Sequence, residues 1–328
     1  MCFKEKIIFK FLMFLTIFFV ITFSSVNAAP IQLKLATSLP EDNIITTEAK
    51  FFAERVEDKT NGNVKITVYP LTLGDTRACL EGIQIGTIDM TFQAELTLLS
   101  PEPGIFSLPF LFKNWDHLSR VLDSEPAKKI ADLFLKKTGA RVLGWMEQGF
   151  RVIISRKKPI ETVEDLKGFK IRVPEDKVLV RTFELLGARP VVIPWADTYT
   201  SLQTGLVEGM EATPPGLYSM KFYEVTNYLT LTNHIHSVLG ALINEKVWNS
   251  LGEENQKALE EAMKEMIALN RKESRENANL MLMELVNEHK ITYNPDTTPF
   301  QEKVKPIYDE WGKNTGTGSL IEEILKIK

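Results

Sequence analysis

Apolar and polar residues alternate from Leu33 to Leu35 and again at Val64, Ile66 and Val68, the two-residue period of a strand with one buried face. Between these runs Ile45, Ala49, Phe52, Ala53 and Val56 recur at helical spacing, and Asn61-Gly62 closes the segment. Residues 73–92 read as turn, helix, turn, strand. The first hundred residues therefore alternate β and α, the pattern of a parallel sheet flanked by helices. The next stretch breaks this rhythm. Pro101, Pro103, Gly104 and Pro109 interrupt regular structure while Phe106, Leu108, Phe110, Leu111 and Phe112 are strongly apolar, which predicts a loop packed on the core and then a helix from Trp115 that includes His117. A strand over Arg141–Met146 leads into residues 149–215, which read as strand, turn, strand, helix, strand, helix, strand. A helix near Tyr218 to Tyr228 and a strand from Ile235 to Ile243 follow.

From Leu251 to His289 no proline occurs, and Ala, Leu, Met, Glu and Lys dominate, all good helix formers. At ~1.5 Å per residue such a helix is on the order of 55 Å long, deeper than one small domain. It predicts a helix laid across two domains; two helices with a break near Asn270 to Asn277 are the alternative. A short strand at Ile291, a helix from Pro299 and a turn over residues 316–319 complete the chain.

The beginning has a different character. Lys4, Lys6 and Lys10 accompany a nearly unbroken apolar run from Phe11 to Phe23, and Val26 and Ala28 place small residues at −3 and −1 of a cleavage site. This is the pattern of a secretory leader, shorter than the roughly 20 apolar residues of a membrane anchor. Cleavage is expected near Ala28, leaving an exported chain of about 300 residues, long enough for two domains. The leader holds three lysines and one glutamate, so its removal takes the net charge from −4 to −6. A mildly acidic protein is not built to hold nucleic acid by its field. Cys79 is then the only cysteine, so no intramolecular disulfide forms, and its apolar neighbours Leu80 and Ile83 predict a small buried hydrophobe.

Enzyme signatures are missing: there is no GxSxG, HExxH, CxxC or glycine-rich phosphate loop. His234 and His236 lie two apart on a strand end, but two ligands make no zinc site without a third. Glu95, Glu147 and Glu211 have no spacing that singles them out as acids or bases. The arginines carry more. Arg151 and Arg172 fall on extended backbone, with Phe150 and Trp195 as aromatic neighbours, and a fixed guanidinium fork meets a carboxylate with two parallel hydrogen bonds. Arg156, Arg181 and Arg189 show that the region is also simply rich in arginine.

Several long motifs, in order, resemble the DctP-type solute-binding proteins of TRAP (tripartite ATP-independent periplasmic) transporters: FFAERVEDKTNGNVKITVYP, LGDTRACLEGIQIGTIDM, FSLPFLF, DLKGFKIRVP, GARPVVIPWADTYTSLQTGLVEGMEATP and KFYEVTNYLTLTNH. The resemblance implies an α/β periplasmic binding fold of two discontinuous lobes, joined by crossing strands and by a long helix that spans both. The expected division is residues 30–149 with roughly 238–275 in one lobe, and 150–237 with roughly 276–328 in the other. It further implies an organic-acid ligand gripped by Arg172, with Arg151 as a second charged contact. Trp195, Glu95 and Ser38 would line the cleft, beside Phe150, Glu211 and Ala212.

Two departures bear on the ligand. Ala212 stands where sialic-acid-type members carry a ligand-binding asparagine, and where metal-bridging members often carry tryptophan. Trp195 replaces a common phenylalanine. A small or aromatic monocarboxylate suits these changes, with a C4-dicarboxylate still open. The implied partners are the small and large membrane subunits of a TRAP permease. No cofactor, metal or catalysis is expected, and the protein is expected to be a periplasmic monomer. A sensory module for an organic acid and a periplasmic enzyme on the same fold remain the alternative readings.

Overall fold

The structure, a computed structural model, describes residues 29–328. The predicted leader and its cleavage site lie outside the described residues. Two sheets form the frame, and the strand order of each follows from where the apolar runs can pair. In the first lobe come β1 (Ile31–Thr37), α1 (Ile44–Lys59), β2 (Val64–Pro70), α2 (Thr76–Ile85) and β3 (Met90–Gln93). The capping side chains of Asn43 and Asp75 accept the first free amides of α1 and α2, which explains where each helix starts. Residues 102–107 make only a 3₁₀ turn, and Ile105, Phe106, Leu108, Leu111 and Phe112 are buried around it. Helices α3 (Trp115–Leu122) and α4 (Glu125–Thr138) then lead to the long strand β4 (Ala140–Phe150).

The chain crosses at once into the second lobe: only Arg151 separates β4 from β5 (Val152–Ser155). There follow β6 (Lys170–Val173), α5 (Lys177–Leu185), β7 (Arg189–Val192), α6 (Thr198–Thr204), β8 (Gly209–Ala212), α7 (Pro214–Ser219) and β9 (Tyr228–Thr230). The chain returns through β10 (His236–Asn244) and α8 (Glu245–Ser250) to the first lobe. It then runs along α9 (Glu253–Glu288) to β11 (Ile291–Tyr293), α10 (Thr298–Val304), α11 (Pro306–Thr315) and α12 (Gly318–Leu325). The first sheet has the order β2-β1-β3-β10-β4 and the second β11-β9-β5-β8-β6-β7. Strands β1, β2 and β3 are parallel, whereas β10 runs antiparallel between β3 and β4.

The two crossing segments are tied together, Arg151 N donating to Ile235 O at 2.8 Å. Gly149 sits at this junction with φ +117°, a conformation that L side chains rarely adopt, and a Cβ there would lie in ordinary contact with the Ala278 methyl of α9, 3.4 Å away.

Helix α9 is one unbroken helix of 36 residues. Leu259, Ala262, Met263 and Met266 pack in the core of the first lobe, and Leu285 packs in that of the second. The polar residues at its centre, which made a break plausible, instead pin the helix to β4. Asn270 is fully buried: its side-chain oxygen accepts from Glu147 N at 2.8 Å, and its amide donates to Glu147 O at 3.0 Å and to the Glu48 carboxyl at 2.9 Å. Ser274 Oγ donates to the same Glu147 carbonyl at 2.7 Å. Burial pushes the Glu48 carboxyl up to about 8, with Asn270 opposing. Asn270→Leu raises the helix propensity but orphans these groups. It is expected to cost about 3 kcal/mol, measured as a lower urea midpoint with unchanged slope.

Three expectations are corrected. The helix near Tyr218 to Tyr228 lies earlier, as α7, because Pro214 and Pro215 suit a first helical turn; Lys221 at φ +54° then turns the chain, and only a 3₁₀ turn over Phe222–Val225 follows. The glycine-rich turn expected over 316–319 shrinks to Gly316 and Thr317, and a further helix, α12, begins at Gly318. That helix also corrects the lobe division. Phe300 and Val304 of α10 join Phe169 and Phe183 in the second lobe, but Ile307, Leu320, Ile321 and Ile324 pack with Ile130 and Phe134 in the first. Residues 276–328 are thus shared between lobes, because the apolar face of α12 completes the core around α4.

Candidate functional site

A cavity of about 560 Å³ lies between the lobes, within the roughly 300–1,000 Å³ of small-molecule sites. Its walls come largely from residues just beyond strand ends. Ser38 follows β1, Glu95 lies two residues past β3, Pro174 follows β6, Trp195 lies three past β7 and Thr213 follows β8. This is the position at which open α/β sheets bind ligands.

Arg172 is held in β6 between β7 and β8, opposite Val191 and Met210. It is 1% exposed, Nε donates to Ile193 O at 2.9 Å, and the guanidinium lies 5.3 Å from the centre of the Trp195 ring. Its Nη1 is buried and has no hydrogen-bond partner among the described residues. Burial lowers its pKa to about 10, Glu211 opposing and Arg151 adding to the shift, so it stays charged at neutral pH. Trp195 is set edge-on against Phe222, with ring centres 5.1 Å apart. Gly216 makes room for the indole: a Cβ there would sit 3.3 Å from the ring.

Arg151 has a different setting. Nε and Nη2 both donate to the Glu211 carboxylate, the latter at 2.7 Å, and Nη1 donates to Ser237 Oγ at 3.2 Å. His234 Nε2 lies 3.3 Å from the same carboxylate, and its Nδ1 is 2.8 Å from Thr232 Oγ1. Burial opposes ionisation of Glu211, but the charge and hydrogen bonds of Arg151, helped by His234, outweigh it and hold its pKa at about 2. Arg151 reaches the cavity wall already paired.

The remaining candidates separate. Ser38, Glu95, Trp195 and Ala212 line the cavity with both arginines. Burial raises the Glu95 pKa, Arg151 opposing. Phe150 and Glu211 are corrections. Phe150 packs edge-on against Trp115 and His236, with centres 6.0 and 4.7 Å away, outside the cavity lining, and Glu211 stands behind the wall holding Arg151. His234 and His236 do not converge: the first serves Glu211, and the second is enclosed by aromatic rings, where burial pushes its pKa down to about 3. No group of three metal-ligating side chains gathers among the described residues. Cys79 is fully buried, and burial pushes its thiol up to about 11.

Sequence reasoning did not single out Gln148, Met220 or the pair Arg77–Glu175. That pair joins the N-terminus of α2 to the turn after β6, Arg77 Nε donating to Glu175 at 3.2 Å across the cavity rim. Its residues stand 98 apart in sequence, with no local signal linking them.

Two lobes joined by crossing strands around a cavity with one unpaired arginine in its wall, among the described residues, define a substrate-capturing protein, one that binds between its halves. The chain belongs to DctP, the bacterial extracellular solute-binding protein family 7, whose model matches residues 35–314. Its family and structural neighbours are solute-binding proteins and not enzymes. It is 32% identical over 297 residues to the sialic acid-binding periplasmic protein SiaP of Vibrio cholerae, covering 89% of this chain and 92% of the relative. A TRAP periplasmic solute-binding protein from a Polaromonas species, bound to D-erythronate, superposes with a TM-score of 0.86 at 28% identity, covering 91% of this chain and 99% of that one. One from Sulfurospirillum deleyianum, with bound succinate, gives 0.84 at 30% identity, covering 92% and 100%.

Proposed function

We propose that this protein captures an organic acid anion between its lobes and delivers it to a TRAP permease made of a small and a large membrane subunit. The observation that carries the reading is the Arg172 guanidinium, charged, buried and with Nη1 unpartnered among the described residues, in the wall of the interlobe cavity. Such a group is costly in an unliganded fold and well matched to a carboxylate, which supplies two acceptors in the plane of the fork. Trp195 stacks beneath the fork and restricts its orientation. Arg151 contributes positive potential from behind its pair with Glu211. Lobe closure around the anion converts occupancy into a shape that membrane subunits can read. The exported chain acts as a monomer after removal of the leader near Ala28, and the related proteins that bind sialic acid, D-erythronate and succinate support an acid as the cargo.

The test is a thermal-shift panel of short hydroxy, dicarboxylic and aryl acids, each beside its primary amide. At a hundredfold excess over Kd, a true ligand adds about 2.7 kcal/mol to the apparent stability. One class of acid is expected to raise Tm by several degrees while its amide does not. Equal shifts from acid and amide overturn the carboxylate reading.

A further inference from the structure

Resting on the carboxylate reading above, we infer that the ligand carries a single carboxylate on a predominantly apolar body, and is neither a dicarboxylate nor a polyhydroxylated acid. Charge gives the first argument. Arg172 is the only cation lining the cavity, among the described residues, whose guanidinium makes no ion pair. Arg151 is engaged by Glu211 and Ser237, and Arg77 by Glu175 and Glu81. No lysine among the described residues lines the wall. The other charged groups on the wall are acidic: Asp75 caps α2 by accepting from Ala78 N, Glu175 pairs with Arg77, and there remains Glu95. As a carboxylate it repels a second anionic group, and as an acid it donates one hydrogen bond; in neither state does it neutralise a second carboxylate.

The polar surface gives the second argument. Ser38 Oγ is 3.0 Å from both Thr76 Oγ1 and Gln93 Oε1, and Gln93 Nε2 donates to Thr91 Oγ1 at 3.3 Å. These groups satisfy one another. Glu95, Gln148, Thr213 and the indole N–H of Trp195 make no side-chain hydrogen bond among the described residues, so hydroxyl groups would find only these scattered partners beside the apolar lining.

The apolar side chains give the third. Leu71 from the first lobe and Val192 from the second are 54% and 48% exposed, and both face the cavity. Large apolar residues left open on opposite walls of one cleft mark the surface that a ligand covers. Phe92, Leu98, Trp195 and Met220 continue that surface inward.

Calorimetric titration with phenylacetate, hexanoate, succinate, D-erythronate and phenylacetamide tests the inference. Phenylacetate or hexanoate is expected to bind at least about tenfold more tightly than succinate or D-erythronate, the discrimination a single apolar contact supplies. Tighter binding of succinate or D-erythronate overturns this inference and leaves the carboxylate reading standing. Phenylacetamide binding as well as phenylacetate overturns the carboxylate reading instead, and silence from all four acids overturns both. The variant Leu71→Asn adds a second check. Leu71 is exposed at φ +55°, a conformation asparagine adopts readily, so the variant keeps its fold. It is expected to weaken phenylacetate roughly fivefold and to leave succinate unchanged. Equal losses for both acids count against an apolar subsite.

Discussion

Arg172→Met is expected to abolish ligand binding while leaving a cooperatively folded protein. The two outcomes follow from one feature. The guanidinium is buried to 1% exposure, and among the described residues its only hydrogen bond runs from Nε to Ile193 O. In the unliganded protein the charge is therefore a cost, seen in the lowering of its pKa to about 10 by burial. Methionine fills much of the same volume without that cost, so stability is expected to change by less than about 1 kcal/mol, or to rise. Binding loses the bidentate partner of the carboxylate, and a buried anion left without its cation costs about 4 kcal/mol, roughly a thousandfold in Kd. Arg172→Lys separates charge from geometry. It keeps the charge but loses the planar fork and the stacking on Trp195, and intermediate binding is expected. Calorimetric titration alongside a thermal melt measures both quantities. Affinity close to that of the parent in Arg172→Met, with the fold intact, contradicts the assignment of Arg172 as the anchor.

How much of this was legible beforehand depends on the range over which each feature is encoded. The strands, the first helices and the length of α9 are local: period-two alternation, capping side chains and a proline-free run of helix formers lie within short windows. Arg172 was legible too, because β6 fixes its position and Pro174 ends the strand beside it. The pairing of Arg151 with Glu211 was not. These residues stand 60 apart, and only the antiparallel register of β5 with β8, Ile153 opposite Glu211, brings them together. Sequence adjacency misled in the same place. Phe150 neighbours Arg151, yet it ends β4 in one sheet while the chain leaves for the other, and its ring turns toward Trp115 and His236. The return of α12 to the first lobe was hidden for a related reason. Leu320, Ile321 and Ile324 show an apolar helical face, but nothing in their spacing names the surface that covers it.

The Arg151–Glu211 pair leads to the other large effect. Glu211→Gln preserves shape and an acceptor oxygen but leaves the Arg151 guanidinium buried without a counter-charge, beside a His234 that has lost its carboxylate partner. Removing one member of a buried pair destabilises by about 3 kcal/mol or more, and for a chain of this size that lowers Tm by roughly 5 °C. The paired replacement Arg151→Met with Glu211→Leu removes both charges and is expected to recover most of the loss, because the desolvation cost disappears with the attraction. The pH profile supplies an independent readout. The folded pKa of Glu211, about 2, lies below its ordinary value of 4.5, so its contribution is fully present above pH 4.5 and is lost as pH falls from 4.5 toward 2. His236, held neutral by burial with a pKa near 3, begins to cost stability earlier, as pH falls below its ordinary 6.5. Glu48, raised by burial to about 8, opposes that loss in both proteins, whereas His234 keeps the Glu211 charge that favours its protonated form only in the parent. Glu211→Gln is therefore expected to lose stability somewhat more steeply than the parent between pH 6.5 and 4.5, and the two to converge below pH 4.5, where only the parent has a carboxylate at position 211 to protonate. Thermal melts at steps from pH 7 to 3 measure the convergence. A gap that stays constant to pH 3 means that the substitution acts through packing alone and that the ion pair does not hold Arg151 in the cleft wall.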